Sequence, residues 1–393
     1  MFEYFPTGPY TYNLSVVATL NSGGLIDEVD RACRRITEAA AAGEDAGTPV
    51  FLQAWRDLTD QLVGQAEDAE KAGHTRTAGQ LYFRASNYLA QAERMLAHSD
   101  PNRVPTYKRL LELAQKAFDL HSPNVSRVAI HYEGTTLPAY FSQAPGDGPA
   151  PVIILVNGLD STKEHMYSSN HWEELAARGI SCLMLDQPGT GEALRLQGLT
   201  ARIDTEAWVG AAVDWLETRP DVDASRIGIV GWSLGGYYAP RAAAFEKRLA
   251  LCVAWGANHD WGAVQRRRKE REGERPVPHY WEHVLWVWGF EAAGGDDDNV
   301  LDAFLDFADD VNLDGVVEQI TVPFLIAHGA NDRQIPVAMA HRSYEQAVNS
   351  PKRELRVFTP EEGATEHIGL DHLPHVSTFI ADWVADTFAE LAP

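Results

Sequence analysis

A glycine-flanked serine, Gly231-Trp232-Ser233-Leu234-Gly235-Gly236, follows the apolar stretch Ile227 to Val230 and precedes Tyr237 to Phe245, which can form a helix. A G-x-S-x-G run between strand and helix predicts a sharp turn that lifts the serine hydroxyl above the end of a sheet. Glycine is needed on either side because the backbone at Ser233 is strained and because strand and helix approach too closely for side chains. No other feature restricts the chain as much. It requires a buried strand, a helix packed straight onto it, and an acid and a base further along, in that order.

The rest of the chain supplies that setting. After Pro123, Val128, Ile130 and Tyr132 alternate, and so do Leu137, Ala139 and Phe141 across Glu133-Gly134, which reads as a hairpin. Short apolar runs follow at 152–156, 180–185, 227–230, 249–254 and 322–327, then a strand at 354–358. Helical segments separate several of them, notably 204–218 and 234–245, and a terminal helix, 374–390, completes the series. Buried strands alternating with helices predict an α/β fold whose mainly parallel sheet is covered on both faces.

Residues 1–122 read differently. Leu52, Trp55, Leu58, Leu62 and Ala66 keep a helical period, as do Leu81, Ala85, Leu89, Ala92 and Leu96, and Pro105 is placed to open a third helix. The expected organisation is a helical N-terminal domain (1–122), a catalytic domain (123–257 and 319–393) and an inserted cap (258–318). The insertion carries Trp261, Trp281, Trp286 and Trp288. These rings either line an aromatic substrate cavity over the carboxyl end of the sheet or pack the insertion to the body.

Composition narrows the function. A formal charge of -23 argues against nucleic acid, whose phosphates most of the surface would repel. Cys33, Cys182 and Cys252 are too few and scattered for a disulfide framework, and no CxxC pair suggests zinc or thiol redox chemistry. The N-terminus lacks the basic and apolar regions of a signal peptide, and no apolar run is long enough to span a bilayer. The expectation is a soluble, cytoplasmic protein without metal or cofactor. Its partner is a small apolar or aromatic molecule, with a homodimer left open.

Ser233 needs a base, since a serine hydroxyl is a weak nucleophile at neutral pH. The acid candidate is Asp332, in the loop after the 322–327 run, with helix capping before Pro336 as its ordinary alternative. His367 follows the 354–358 strand through a short loop and is the expected base. His372 and His375, flanking Pro374, are the alternatives. The backbone N–H of Leu234 and one from Asn157-Gly158-Leu159-Asp160, with Leu159 preferred to Gly158, form the expected oxyanion hole.

Three stretches carry a resemblance: Asn157-Gly158-Leu159-Asp160-Ser161-Thr162-Lys163-Glu164, Leu185-Asp186-Gln187-Pro188-Gly189-Thr190-Gly191-Glu192, and Gly231 to Ala239, followed by Trp255-Gly256. From about residue 125 onward the chain resembles one branch of the α/β-hydrolases. That branch holds the 2,6-dihydroxypseudooxynicotine hydrolases, the fungal yellowish-green pigment hydrolases and more distant FrsA-like esterases. The resemblance implies hydrolysis of carbon–carbon bonds next to ketones, or ester cleavage. It also implies a triad of Ser233, Asp332 and His367, and N-terminal helices that contribute to the cavity, so that Tyr10 and Tyr12 would touch substrate. Glu164 and Asp260 are pocket-rim candidates, with pairing of Glu164 to Lys163 as the alternative. The spacing Gly363-Ala364-Thr365-Glu366-His367 departs from the bacterial nicotine enzyme and is closer to the fungal pigment enzymes.

Other signals carry less. Asp310 to Gly315 opens like a calcium loop, but Thr321 stands where a glutamate is required. Asp296-Asp297-Asp298 reads as a solvated loop. Arg266 to Lys269 alternates into Glu270, Glu272 and Glu274, as an exposed helix face does. The resemblance, with a triad that permits either route, implies a carbon–carbon bond hydrolase acting on an aromatic or polyketide-like ketone. A carboxylesterase or lactonase for bulky apolar esters is the alternative, and a non-catalytic binding protein is the rival from another class.

Overall fold

The structure, a computed structural model, describes residues 2–5, 10–42, 48–122, 124–271, 275, 277–290 and 298–392. Pro123, Glu272, Glu274, Asp296 and Asp297 lie outside the described residues. The chain divides into two compact units, Met1–Ser126 with Arg275–His283, and Arg127–Glu274 with Val284–Pro393.

The first unit contains α1 (Tyr10–Asn21), α2 (Ile26–Ala41), α3 (Thr48–Lys71), α4 (Thr75–Arg94) and α5 (Arg103–His121). The apolar stripe from Leu52 to Ala66 is buried along α3, and Leu81, Ala85, Leu89 and Ala92 are buried along α4. Trp55 and Tyr88 meet between these helices with ring centroids 5.6 Å apart. Helix α5 starts two residues before Pro105, because proline is tolerated in a first turn whose N–H groups have no intrahelical acceptor. Arg103, at its first position, is buried and donates to Glu93 Oε1 at 2.8 Å and to the Leu96 carbonyl at 2.7 Å.

The second unit is built on β1 (Val125–Tyr132), β2 (Thr135–Ser142), β3 (Ala150–Val156), α6 (Lys163–Ser168), α7 (His171–Ala176), β4 (Ser181–Leu185), α8 (Gly191–Gln197), α9 (Glu206–Glu217), β5 (Val222–Trp232), α10 (Gly235–Phe245) and β6 (Leu249–Trp255). The insertion holds α11 (Trp261–Glu270), α12 (Tyr280–Trp288) and α13 (Asp298–Ala308). β7 (Phe324–Gly329), α14 (Val337–Gln346), β8 (Arg353–Phe358) and α15 (Leu373–Glu390) complete the chain.

Among the described residues the sheet has the order β1-β2-β4-β3-β5-β6-β7-β8, parallel from β4 to β8, with β2 antiparallel to β4. The hairpin turns at Glu133 (φ 43°) and Gly134 (φ 81°), two successive positive φ values that match the strand twist. β7 begins only after Pro323, which has no N–H for the ladder. Cys182 and Cys252 are buried in β4 and β6 as small apolar residues, and Cys33 is buried in α2. The register pairs Val156 with Gly231 and Trp232 with Trp255, so the carboxyl ends of β3, β5 and β6 lie level. The loops that leave these strand ends carry the candidate site.

Candidate active site

Ser233 follows the last residue of β5 and has φ 59°, a left-handed conformation that costs energy in a non-glycine residue. The surrounding backbone enforces it. A β-carbon on Gly231 would lie 2.1 Å from the Gly235 carbonyl oxygen, and one on Gly236 would lie 2.3 Å from that of Gly256. The Ser233 N–H donates to the Trp255 carbonyl at 2.9 Å, which fixes the turn to β6.

The structure brings Ser233, His367 and Asp332 together. The Ser233 hydroxyl donates to His367 Nε2 at 2.8 Å, and His367 Nδ1–H donates to Asp332 Oδ2 at 2.9 Å. Asp332 does not cap a helix, since Pro336 is the N-cap of α14. The Asp332 Oδ1 accepts from the N–H groups of Gln334 (2.8 Å) and Ile335 (2.9 Å), while helix α14 starts later, at Val337. Burial raises the Asp332 pKa, but the His367 charge and hydrogen bond, with lesser help from His328 and the Ile335 N–H, more than offset this and hold it at about 2. The carboxylate is therefore ionised and orients the imidazole. His372 and His375 stack on each other, centroids 5.2 Å apart, and His375 also packs on Phe358.

Leu234 caps the start of α10, so its N–H precedes the first intrahelical bond. The β3 loop comes directly against the serine, since a β-carbon on Gly158 would lie 2.7 Å from Ser233 Cβ. The Gly158 N–H, however, is donated to Ser161 Oγ at 3.2 Å. Leu159 follows Gly158, buried. Ser161 Oγ also accepts from Trp232 Nε1 at 3.1 Å and donates to Asn157 Oδ1 at 2.8 Å, tying the loop to the serine turn.

The two pocket-rim candidates, Glu164 and Asp260, are both engaged by neighbouring groups. Glu164 is buried beneath the loops, with Lys163 Nζ at 2.7 Å and the Tyr140 hydroxyl donating to it at 2.7 Å. Lys163 Nζ also reaches Asp186 at 3.0 Å and Glu192 at 3.1 Å, and Arg127 pairs with Glu192. Burial opposes the Lys163 charge, but these three carboxylates raise its pKa well above the usual lysine range. Burial, aided by the neighbouring Glu164 charge, pushes Asp186 up despite Lys163. Glu164 is held low against its own burial by its close contact with Lys163. Asp260 is the N-cap of α11, accepting from the Ala263 N–H at 3.0 Å, and pairs with Arg342. In the sequence that mimics a calcium loop, Asp314 is engaged by Arg342, Gln346 and His259.

The aromatic residues largely pack. Trp261 and Trp288 are buried with centroids 5.2 Å apart, and Trp261 packs on Phe304 and Trp288 on Phe307, because short helices of one insertion need large rings to build a core. Trp286 is buried under the Arg195 guanidinium, and Trp281 packs on Tyr280 and Arg275. Tyr12 is a core residue of the helical unit, 4.6 Å from the Phe51 ring, and Tyr10 is half-buried at the start of α1.

Sequence reasoning missed the polar groups that brace the loops. Asn157 Nδ2 donates to the Leu185 carbonyl at 3.1 Å, and Gln187 exchanges hydrogen bonds with the Asn157 backbone. Trp255 Nε1 donates to the Ile368 carbonyl at 2.8 Å, where the chain turns at positive φ just after His367. The motif stretches 157–164 and 185–192 pointed to the first set, and of the second only Trp255, in Trp255-Gly256, stood out in the sequence. Among the described residues, no group of three or more His, Cys, Asp or Glu is placed to hold a metal ion, and no helix is long and apolar enough to cross a membrane.

This geometry has matching relatives. The Alpha/beta hydrolase family matches residues 153–387. The chain is 30% identical to the 2,6-dihydropseudooxynicotine hydrolase of Paenarthrobacter nicotinovorans over 335 residues, covering 84% of this chain and 83% of that protein. It is 29% identical to the alpha/beta hydrolase gkaG of Penicillium citrinum, covering 78% of this chain and 69% of that one. The crystal structure of the 2,6-dihydroxy-pseudo-oxynicotine hydrolase superposes with a TM-score of 0.75 at 26% identity, covering 94% of this chain and 95% of that chain. With a family match over residues 153–387 and relatives that cover most of its length, the chain, with its serine in a strained strand-to-helix turn, belongs to the α/β-hydrolase family.

Proposed function

We propose that this protein is a serine hydrolase that cleaves a carbon–carbon bond next to a ketone in an aromatic or polyketide-like substrate. The observation that carries the reading is the hydrogen-bonded line Ser233–His367–Asp332 in a chain similar along most of its length to the 2,6-dihydropseudooxynicotine hydrolase.

Ser233 Oγ adds to the ketone carbon while its proton passes to His367 Nε2, and Asp332 stabilises the imidazolium. The N–H groups of Leu234 and Leu159 take the developing oxyanion. When the tetrahedral adduct collapses, the carbon–carbon bond breaks and its electron pair leaves with the departing fragment, which is protonated by His367. Water, deprotonated by His367, then attacks the acyl-enzyme and releases a carboxylic acid and Ser233. The same groups can release an alcohol from an ester, so the leaving fragment distinguishes the two reactions. Three buried free cysteines support a reducing, cytoplasmic setting.

The test is product analysis in ¹⁸O-water on a panel of acyl phenols, naphthopyrone-type ketones and aryl esters. The expected result is one label in the carboxylate product and a leaving fragment that carries a new C–H bond. A leaving fragment that is always an alcohol would replace this reading with an esterase.

A further inference from the structure

Glu366 is a buried carboxylate that the chemistry above does not use. Its Oε1 accepts from Asn331 Nδ2 at 2.9 Å and its Oε2 accepts from Arg333 Nε at 3.1 Å. These donors are the two chain neighbours of Asp332, and Glu366 is itself the neighbour of His367. The backbones of the two loops are also in contact. The Asn331 N–H donates to the Thr365 carbonyl at 2.9 Å, and a β-carbon on Gly329 would lie 2.3 Å from that carbonyl oxygen. Asp371 holds the base loop from the other side, accepting from the N–H groups of Thr365 (3.0 Å) and Glu366 (2.9 Å).

From this arrangement we propose that Glu366 is a positioning residue that clamps the acid loop to the base loop and so sets the line of the Asp332–His367 hydrogen bond. The proposal rests on the reading of Ser233 as nucleophile and His367 as base. The reason one carboxylate can act on both is geometric. Asp332 lies between two residues anchored to it, and His367 is one peptide away, so a shift of the clamp moves acid and base relative to each other. The imidazole must meet Asp332 through Nδ1 and Ser233 through Nε2 at once, which leaves little tolerance in its tilt. Ion pairing with Arg333 holds the buried charge, which loss of either partner would leave uncompensated.

The test is the rate of Ser233 phosphonylation by a small alkyl fluorophosphonate. In that step Ser233 Oγ bonds to phosphorus, fluoride departs with its bonding pair and the hydroxyl proton passes to His367, so no leaving-group specificity enters. Glu366→Ala is expected to lower the limiting inactivation rate by about 10²-fold with the inhibitor's half-saturating concentration unchanged. Arg333→Ala and Asn331→Ala, which alter the more exposed partners, are expected to lower it several-fold each per folded molecule. Arg333→Lys should recover part of the loss, and adding Arg333→Ala to Glu366→Ala should cost little more than Glu366→Ala alone. Inactivation at the wild-type rate in Arg333→Ala, Asn331→Ala and their double variant would overturn the proposal. So would a loss confined to thermal stability, with the rate per folded molecule unchanged. A Ser233→Ala protein that still reacts would instead overturn the nucleophile assignment, so the two failures are separable.

Discussion

Gly158 packs against Ser233 so closely that an added β-carbon would lie 3.0 Å from the serine Oγ as well as 2.7 Å from its Cβ. The serine cannot retreat, because its backbone is locked at φ 59° and bonded to Trp255. A methyl group at 158 must therefore displace either the hydroxyl or the β3 loop. Gly158→Ala is expected to lower kcat/KM by about 10²-fold with little change in unfolding temperature, since the clash is confined to the strand ends. Steady-state kinetics beside a thermal melt check this. A variant as active as wild type would show that the loop relaxes freely.

The serine and histidine themselves should matter far more than their neighbours. Ser233→Ala and His367→Ala are each expected to lose activity on the order of 10³-fold or more, leaving the contributions of binding and the oxyanion donors. His372→Ala and His375→Ala, which disturb only a stacked ring pair beside Phe358, should stay within about tenfold of wild type. Equal loss in His372→Ala, with His367→Ala active, would move the base.

Lys163 is the buried cation among Asp186, Glu164 and Glu192. Lys163→Met would leave these carboxylates facing one another out of water, and should destabilise the second unit by about 3–5 kcal/mol. Denaturant unfolding followed by tryptophan fluorescence measures it. A change no larger than that of an exposed surface lysine would mean that the cluster takes up protons or water at little cost.

Acid should weaken the fold in two separate windows. Burial, with the nearby Arg178 charge, lowers the His171 pKa to about 3 against minor opposition from the Ser377 backbone, and burial lowers those of His259 and His328 as well. Below the usual histidine value of about 6.5 the unfolded chain binds protons that these folded rings refuse, so stability falls as pH drops from there towards 3. Asp332 has the opposite chemistry and the same sign. Its depressed pKa of about 2 contributes stability above about pH 4, which is lost as pH falls through 2. His171→Gln should therefore flatten the dependence of unfolding temperature between pH 4 and 6.5 while leaving the steeper loss below it. An unchanged slope in that variant would place the proton uptake elsewhere.

Much of this protein is legible locally. The hairpin at Glu133-Gly134, the buried runs of β3, β4, β6 and β7 and the serine turn each follow from a period or a glycine that no other arrangement accommodates. Element ends were less legible: Pro105 suggested a helix start that Arg103 and its buried pair with Glu93 move upstream. Single polar or aromatic residues were least legible. Glu164, Asp260 and Trp261 have the composition of a binding site, and the fold uses them for a buried ion cluster, a helix cap and an aromatic core.

By itself the sequence determined the succession of buried strands and the identity of the strained serine, because both depend on residues adjacent in the chain. The tertiary structure alone decided which histidine meets Ser233 across 134 positions, that Gly158 yields its N–H to Ser161, and that Glu366 reaches both neighbours of Asp332. These pairings arise from strand register and loop packing, where an ångström separates a hydrogen bond from none, and no local pattern of residue types encodes distances of that kind.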